Sequence, residues 1–126
     1  MPSDHSILIV EDESIIALNL KMKLQQIGFD VLPLAHHGHT GIELAVTMKP
    51  QLILMDIMLA GNMNGLEAAL KIFESYTPSI IYLTGNDYLL ENMELAHYPV
   101  GPVLAKPVSD LKLLETIQTL LDIPLL

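Results

Sequence analysis

Five apolar runs punctuate the chain: ILIV (7–10), VLPLA (31–35), LILMD (52–56), SIIYLT (79–84) and PVLAK (102–106). None of them alternates apolar with polar residues, which is how strands read when both faces of a parallel sheet are covered. A stretch long enough for a helix follows each run. That alternation predicts an α/β fold built on a parallel sheet. The pattern leaves the strand order open.

The first helix is predicted to begin near Glu13 or Ser14, to turn Ile16, Leu20, Leu24 and Ile27 inward, and to stop at Gly28. A second runs from about His39 to Met48 and is ended by Pro50. A third runs from Gly65 to about Ser75 with Leu66, Ala69, Leu70 and Phe73 inward, and Pro78 bars helix ahead of the fourth strand. A fourth, over Tyr88 to His97, is the weakest: Gly85, Asn86 and Asp87 precede it, and Pro99, Gly101 and Pro102 follow. It is expected to be the most mobile element. The last helix opens at Ser109, a good N-cap, and ends near Leu121. On it Leu111, Leu113, Leu114, Ile117, Leu120 and Leu121 cover an arc of about 180°, wider than the roughly 100° that one core-facing stripe needs. Either neighbouring loops cover the excess or a partner does.

At 126 residues the sequence is read as one domain over 1–126, large enough to bury a core. The absence of Cys excludes disulfides and thiolate metal sites. Although 51% of residues are hydrophobic, no apolar run approaches the roughly 18 residues of a membrane span. MPSDHSILIV has neither the basic region nor the apolar length of a signal peptide. A cytoplasmic domain without membrane insertion is expected. Six Lys and no Arg stand against fifteen Asp and Glu, a formal net charge of -9. Direct nucleic-acid binding, which needs a basic stripe to meet phosphates, is excluded on that balance.

Ligands of an open parallel sheet bind at the carboxyl ends of its strands. Glu11 and Asp12 follow the first predicted strand, Asp56 ends the third, Thr84 the fourth and Lys106 the fifth. Carboxylates about 5 Å apart repel by roughly 3 kcal/mol at an effective dielectric near 20, so either a pKa rises or a cation binds. Oxygen ligands with no Cys or His at these ends favour Mg²⁺. With the metal and Lys106 supplying positive charge, Asp56 stays an anion beside apolar neighbours. It is then a usable nucleophile toward a phosphoryl group, with the Thr84 hydroxyl and backbone N–H groups as donors.

ILIVEDE at the amino end, LILMDIML around Asp56, SIIYLTG around Thr84 and VLAKP before the last helix together resemble the receiver domain of two-component response regulators. The resemblance covers essentially the whole chain. It implies a (βα)5 doubly wound, CheY-like fold of strand order 2-1-3-4-5. It implies Asp56 as phosphoacceptor for a phosphohistidine on a sensor histidine kinase or phosphotransfer protein. Glu11 and Asp12 match the acidic pair that positions Mg²⁺, and the Met58 backbone carbonyl would complete the protein ligands. Lys106 matches the lysine that contacts the phosphoryl group, with a cis peptide bond to Pro107. Thr84 matches the switch hydroxyl, and the backbone at Met58 and Gly85 the phosphate-binding N–H groups. Such a domain catalyses only its own phosphorylation and dephosphorylation. The loop in DIMLAGNMNGLEAA (56–69) looks slightly extended.

The sequence departs from the family pattern at Val103, where a switch aromatic usually stands three positions before the lysine. The signal would then reach the last two helices by loop rearrangement or through another residue, with Tyr82 and Tyr88 as weak candidates. Met58 and Asn86 match positions that tune loss of the phosphoryl group, and the apolar Met58 hints at a longer-lived acyl phosphate. His36, His37 and His39 read as solvated loop histidines away from the carboxylates, since no i,i+4 pair accompanies them; His5 and His97 read likewise. Glu13 reads as a cap or dipole partner of the first helix.

Three other functions compete. A haloacid-dehalogenase-type phosphatase needs a second Asp two residues after the nucleophile, where Met58 stands. A flavodoxin-like cofactor binder needs a phosphate cradle where EDES (11–14) would repel an anion. A pseudo-receiver serving as a docking or dimerisation module would not need the intact set Glu11, Asp12, Asp56, Thr84 and Lys106. The output is not legible: the sequence reads as a single-domain regulator or as a receiver from a longer chain. The wide apolar arc of the last helix suggests a homodimer or a partner domain.

Overall fold

Aliphatic, two-sided strands need helices on both faces, and the computed structural model supplies them in the order β1 (Ser6–Val10), α1 (Ser14–Ile27), β2 (Asp30–Val31), α2 (Gly38–Met48), β3 (Leu52–Asp56), α3 (Gly65–Phe73), β4 (Ser79–Thr84), β5 (Val103–Ala105) and α4 (Asp110–Leu121). The structure describes residues 5–85 and 94–124. The five strands form one parallel sheet of order β2-β1-β3-β4-β5. This is the doubly wound arrangement that places a ligand cleft where the strand order reverses, beside β1 and β3.

Alternate residues of each strand feed opposite cores. Leu8, Val10, Ile53, Met55, Ile80 and Tyr82 pack with Ala45 of α2 and Leu66, Ala69 and Ile72 of α3. Ile7, Ile9, Leu52, Leu54, Ile81 and Leu83 pack with Ala17, Leu20 and Leu24 of α1 and with Leu113 and Ile117 of α4. Each fully buried Leu or Ile contributes about 1.5–3 kcal/mol. The central strands β1 and β3 are therefore the rigid platform of the molecule.

Several elements differ from the sequence expectation. The VLPLA run pairs as a strand only at its start: Leu32 N–H donates to the Ile7 carbonyl and Ala35 N–H to that of Ile9, a step of three residues against two, so an extra residue around Pro33 breaks the regular ladder. On α1 the buried stripe turns toward Ala17, leaving Ile16 half-buried and Ile27 exposed, while Phe29 enters the core after the left-handed turn at Gly28. On α3, Ala68 and Ile72 face inward and Leu70 faces out. On α4, Leu113 and Ile117 are buried, Leu114, Leu120 and Leu121 are half-buried, and Leu111 is exposed, so neighbouring elements cover most of the wide arc. Ser109 caps that helix by accepting from the Lys112 N–H at 3.1 Å. Most of the predicted helix over Tyr88 to His97, with Asn86 and Tyr88, lies outside the described residues, and its described end, Leu95–His97, is a 3-10 turn.

Candidate functional site

Parallel register brings the strand ends level. Val10 pairs with Met55, Asp56 with Leu83 and Thr84 with Ala105, so Glu11, Asp56, Thr84 and Lys106 leave the sheet at one edge. Glu11, Asp56 and Thr84 are buried. Carboxylate oxygens of Glu11, Asp12 and Asp56 lie within 4.8 Å of one another. The Lys106 ammonium donates to Glu11 Oε1 at 2.8 Å and stands 3.3 Å from Asp56 Oδ2. Backbone donors hold the other oxygens: Met58 N–H reaches Asp56 Oδ1 at 3.0 Å, and Ala60 N–H reaches Asp12 Oδ2 at 3.2 Å. The Lys106–Pro107 peptide is cis.

Three carboxylates facing one ammonium cannot all stay ionised cheaply. Burial first, then the contact with Asp56, pushes Glu11 up to about 8, against the opposing pull of Lys106. Burial would also raise Asp12, but hydrogen bonding with Glu11 and Asp56 and the Ala60 N–H hold it below the usual carboxylate range. For Lys106, burial works against the charge, yet the bond to Glu11 and the Asp56 charge win and raise its pKa. The cluster thus keeps its ammonium and holds a proton on Glu11 near neutral pH. A hard divalent cation with oxygen ligands fits this donor set, since it would replace that proton with a larger positive charge.

The family model for the response regulator receiver domain matches residues 7–118. The chain belongs to the response-regulator receiver family. It is 33% identical over 115 residues to the response regulator ArlR of Staphylococcus saprophyticus, covering 91% of this chain and 51% of that protein. The receiver thus spans about half the length of this curated relative. A CheY-like receiver domain protein from Methanospirillum hungatei superposes with a TM-score of 0.86 at 29% identity, over 95% of each chain. The receiver domain of a sensor histidine kinase from Pseudomonas aeruginosa, solved with a magnesium ion coordinated in its active-site cleft, has the same fold. That match has a TM-score of 0.84 at 24% identity, over 96% of this chain and 100% of that one.

Other features of the receiver's site were not foreseen. His36 is half-buried, and its Nδ1 lies 2.9 Å from the Glu11 carbonyl oxygen, so it is not one of the solvated histidines remote from the carboxylates. Lys106 pairs with Glu11 more closely than with Asp56. The Met58 N–H, matched above to phosphate binding, is engaged by Asp56 itself. Gly65 lies flush on the Asp56 backbone: a Cβ there would sit 2.1 Å from the Asp56 carbonyl oxygen. Asn64 and Glu67 form a reciprocal capping box that starts α3 there, a signal visible in the sequence as N-x-x-E. Glu13 stands at the N-cap of α1 without a side-chain capping bond. Val103 is half-buried, and its register partner Tyr82 donates its hydroxyl to the Pro99 carbonyl at 2.8 Å.

Proposed function

We propose that this receiver is a phosphoacceptor switch whose nucleophile is Asp56. The observation that carries the reading is a buried aspartate at the end of a central strand, facing a lysine ammonium and two further carboxylates. An oxygen of Asp56 would bond to phosphorus as the P–N bond of a donor phosphohistidine breaks. The donor imidazole keeps that electron pair and takes up a proton. Lys106 meets the charge on the phosphoryl oxygens, and Thr84, buried at the adjacent strand end, offers its hydroxyl. Mg²⁺, when held by Glu11, Asp12, Asp56 and the Met58 carbonyl, supplies the remaining charge neutralisation. The same edge, reached by water, returns Asp56 to its free state, so the chain acts only on itself.

The donor is a histidine kinase or phosphotransfer protein of the cytoplasm. Exposed apolar side chains Ile15, Leu18 and Met22 line one side of α1. A groove of about 370 Å³ leads from Ile16 and Leu20 to Lys106 and Pro107. A donor helix lying along α1 would bring its phosphohistidine to the cleft. Ile15→Asp should slow transfer from a protein donor while leaving a small-molecule donor unaffected; equal slowing of both would remove this face from consideration.

The deciding experiment adds Mg²⁺ with acetyl phosphate, and separately with beryllofluoride, to wild type and Asp56→Asn. Intact mass should show one phosphoryl group on wild type, none on Asp56→Asn and none after chelation of the metal. A wild-type chain that gains no phosphoryl group and shows no Mg²⁺-dependent amide shifts would sink the reading in favour of a docking module.

A further inference from the structure

We infer that His36 is a positioning residue for the acidic pair: its imidazole, through the Glu11 backbone, sets where Asp12 presents its carboxylate. The inference rests on the Mg²⁺ reading above and concerns a side chain that touches neither metal nor phosphoryl group.

Glu11 is gripped on both sides by consecutive residues of the segment between β2 and α2. Its N–H donates to the Ala35 carbonyl at 2.9 Å, and its carbonyl lies 2.9 Å from His36 Nδ1. A carbonyl oxygen can only accept, so Nδ1 carries the hydrogen. The two bonds fix both peptide planes flanking Glu11, and a planar peptide leaves Asp12 little freedom in how its Cα leaves that plane. Asp12 then projects toward the loop after β3, where the Ala60 N–H holds Oδ2.

The segment that carries His36 is itself seated. Ala35 bridges to Val10, a Cβ at Gly41 would come within 2.8 Å of the Val10 side chain, and one at Gly38 within 3.0 Å of Met63 Sδ. His36 is therefore presented from a braced turn, and a bond from a braced donor transmits position. Without it the Glu11–Asp12 peptide can rotate, and Asp12 must pay for ordering when a cation binds.

The test exploits where a donor atom sits on the side chain. The amide nitrogen of Asn lies where Nδ1 of His does, one bond from Cγ, whereas that of Gln lies one atom farther out. His36→Ala and His36→Gln should weaken Mg²⁺ binding by about 10-fold, the low end for outer partners of a metal site. His36→Asn should recover most of that loss. Affinity is read from amide shifts during Mg²⁺ titration, with a thermal melt of each variant as the check on folding. Independently of any variant, imidazole nitrogen shifts of the wild type at about pH 8 should report a proton on Nδ1 of His36.

Wild-type affinity in folded His36→Ala, an Asn variant no better than Ala, or a proton on Nε2 alone would each overturn the inference. If a variant fails to fold, the nitrogen shifts of the wild type still decide. A wild-type chain indifferent to Mg²⁺ would overturn the metal reading and this inference with it, an outcome distinct from loss of the His36 effect alone.

Discussion

Two regions of this receiver are built in opposite ways. At the carboxyl ends of β1 and β3, polar groups are held by one another: Lys106 by Glu11 and Asp56, Asp56 by the Met58 N–H, Asp12 by the Ala60 N–H. In the segment leading into β5, packing and backbone govern. Val103 offers no polar handle, Gly101 lies flush on the Ile80 carbonyl, Tyr82 N–H donates to Pro102, and the Tyr82 hydroxyl reaches Pro99. The first region constrains residue type because acid, ammonium and hydroxyl cannot replace one another. The second constrains only volume and a few backbone bonds, so an aromatic can be absent from one strand while another strand carries one.

The largest effect should come from removing the Lys106 ammonium. Lys106→Ala takes away the charge 3.3 Å from Asp56 and should slow phosphorylation by acetyl phosphate by about 100-fold, as loss of one oriented electrostatic partner commonly does. A rate within a few fold of wild type would show that the edge does not depend on this charge. Both regions are also pinned by a glycine. Gly65→Ala would place Cβ 2.1 Å from the Asp56 carbonyl oxygen, and Gly101→Ala 2.3 Å from that of Ile80. Each should lower stability by about 1–3 kcal/mol in a urea unfolding curve. Gly85→Ala, whose Cβ would meet Lys106 Cε at 3.9 Å, should stay within about 0.5 kcal/mol. Equal costs at all three glycines would mean that close backbone approach is not what distinguishes them.

Proton linkage separates the regions next. Burial raises Glu11 from 4.5 to about 8 in the fold, so between those values the native state binds more protons than the unfolded chain. Metal-free stability should therefore fall as pH rises through that window, the Glu11 contribution being complete below it and gone above it. Asp12 is shifted the other way, and its contribution is lost only at acid pH. A cation must displace the Glu11 proton. Mg²⁺ affinity should then climb by up to about tenfold per pH unit below about 8 and level off above. Titrations in the same buffers with Glu11→Gln should show a flatter profile; an equally steep one would place the proton elsewhere.

How much of this was legible follows from where each constraint is stored. Asp56 stands out because a carboxylate ends an aliphatic run, and Glu11, Asp12, Thr84 and Lys106 follow from strand ends alone. Residues brought together only by the fold leave weaker traces. The bond from His36 to Glu11 joins positions 25 apart through a backbone carbonyl, and the Ala60 N–H that holds Asp12 would be there with any residue but proline. Ile27 and Leu70 were misplaced because a helix rich in aliphatics offers more than one possible inward stripe. Which stripe wins depends on the surface it meets: Ala17 and Ala68 fit closely against the sheet, where larger neighbours turn out. The shortness of β2 was not anticipated, because the extra residue between Leu32 and Ala35 is a matter of register that an aliphatic run does not record.

The smallest predicted effect tests the second region alone. Tyr82 is buried in the same core as Met55 and Ile80, and its hydroxyl is spent on the Pro99 carbonyl. Tyr82→Phe keeps the ring and removes that bond, so it should cost about 1 kcal/mol in urea unfolding, the usual net worth of a neutral hydrogen bond. Burial raises the Tyr82 hydroxyl to about 12; it remains a donor throughout the range over which Glu11 titrates. The loss should therefore be constant with pH, unlike the Glu11 contribution, and the rate of Asp56 phosphorylation should be unchanged. A Tyr82→Phe variant that loses stability but also phosphorylates more slowly would show that the two regions are coupled through β4. The division between fixed chemistry and replaceable packing would then have to be drawn elsewhere.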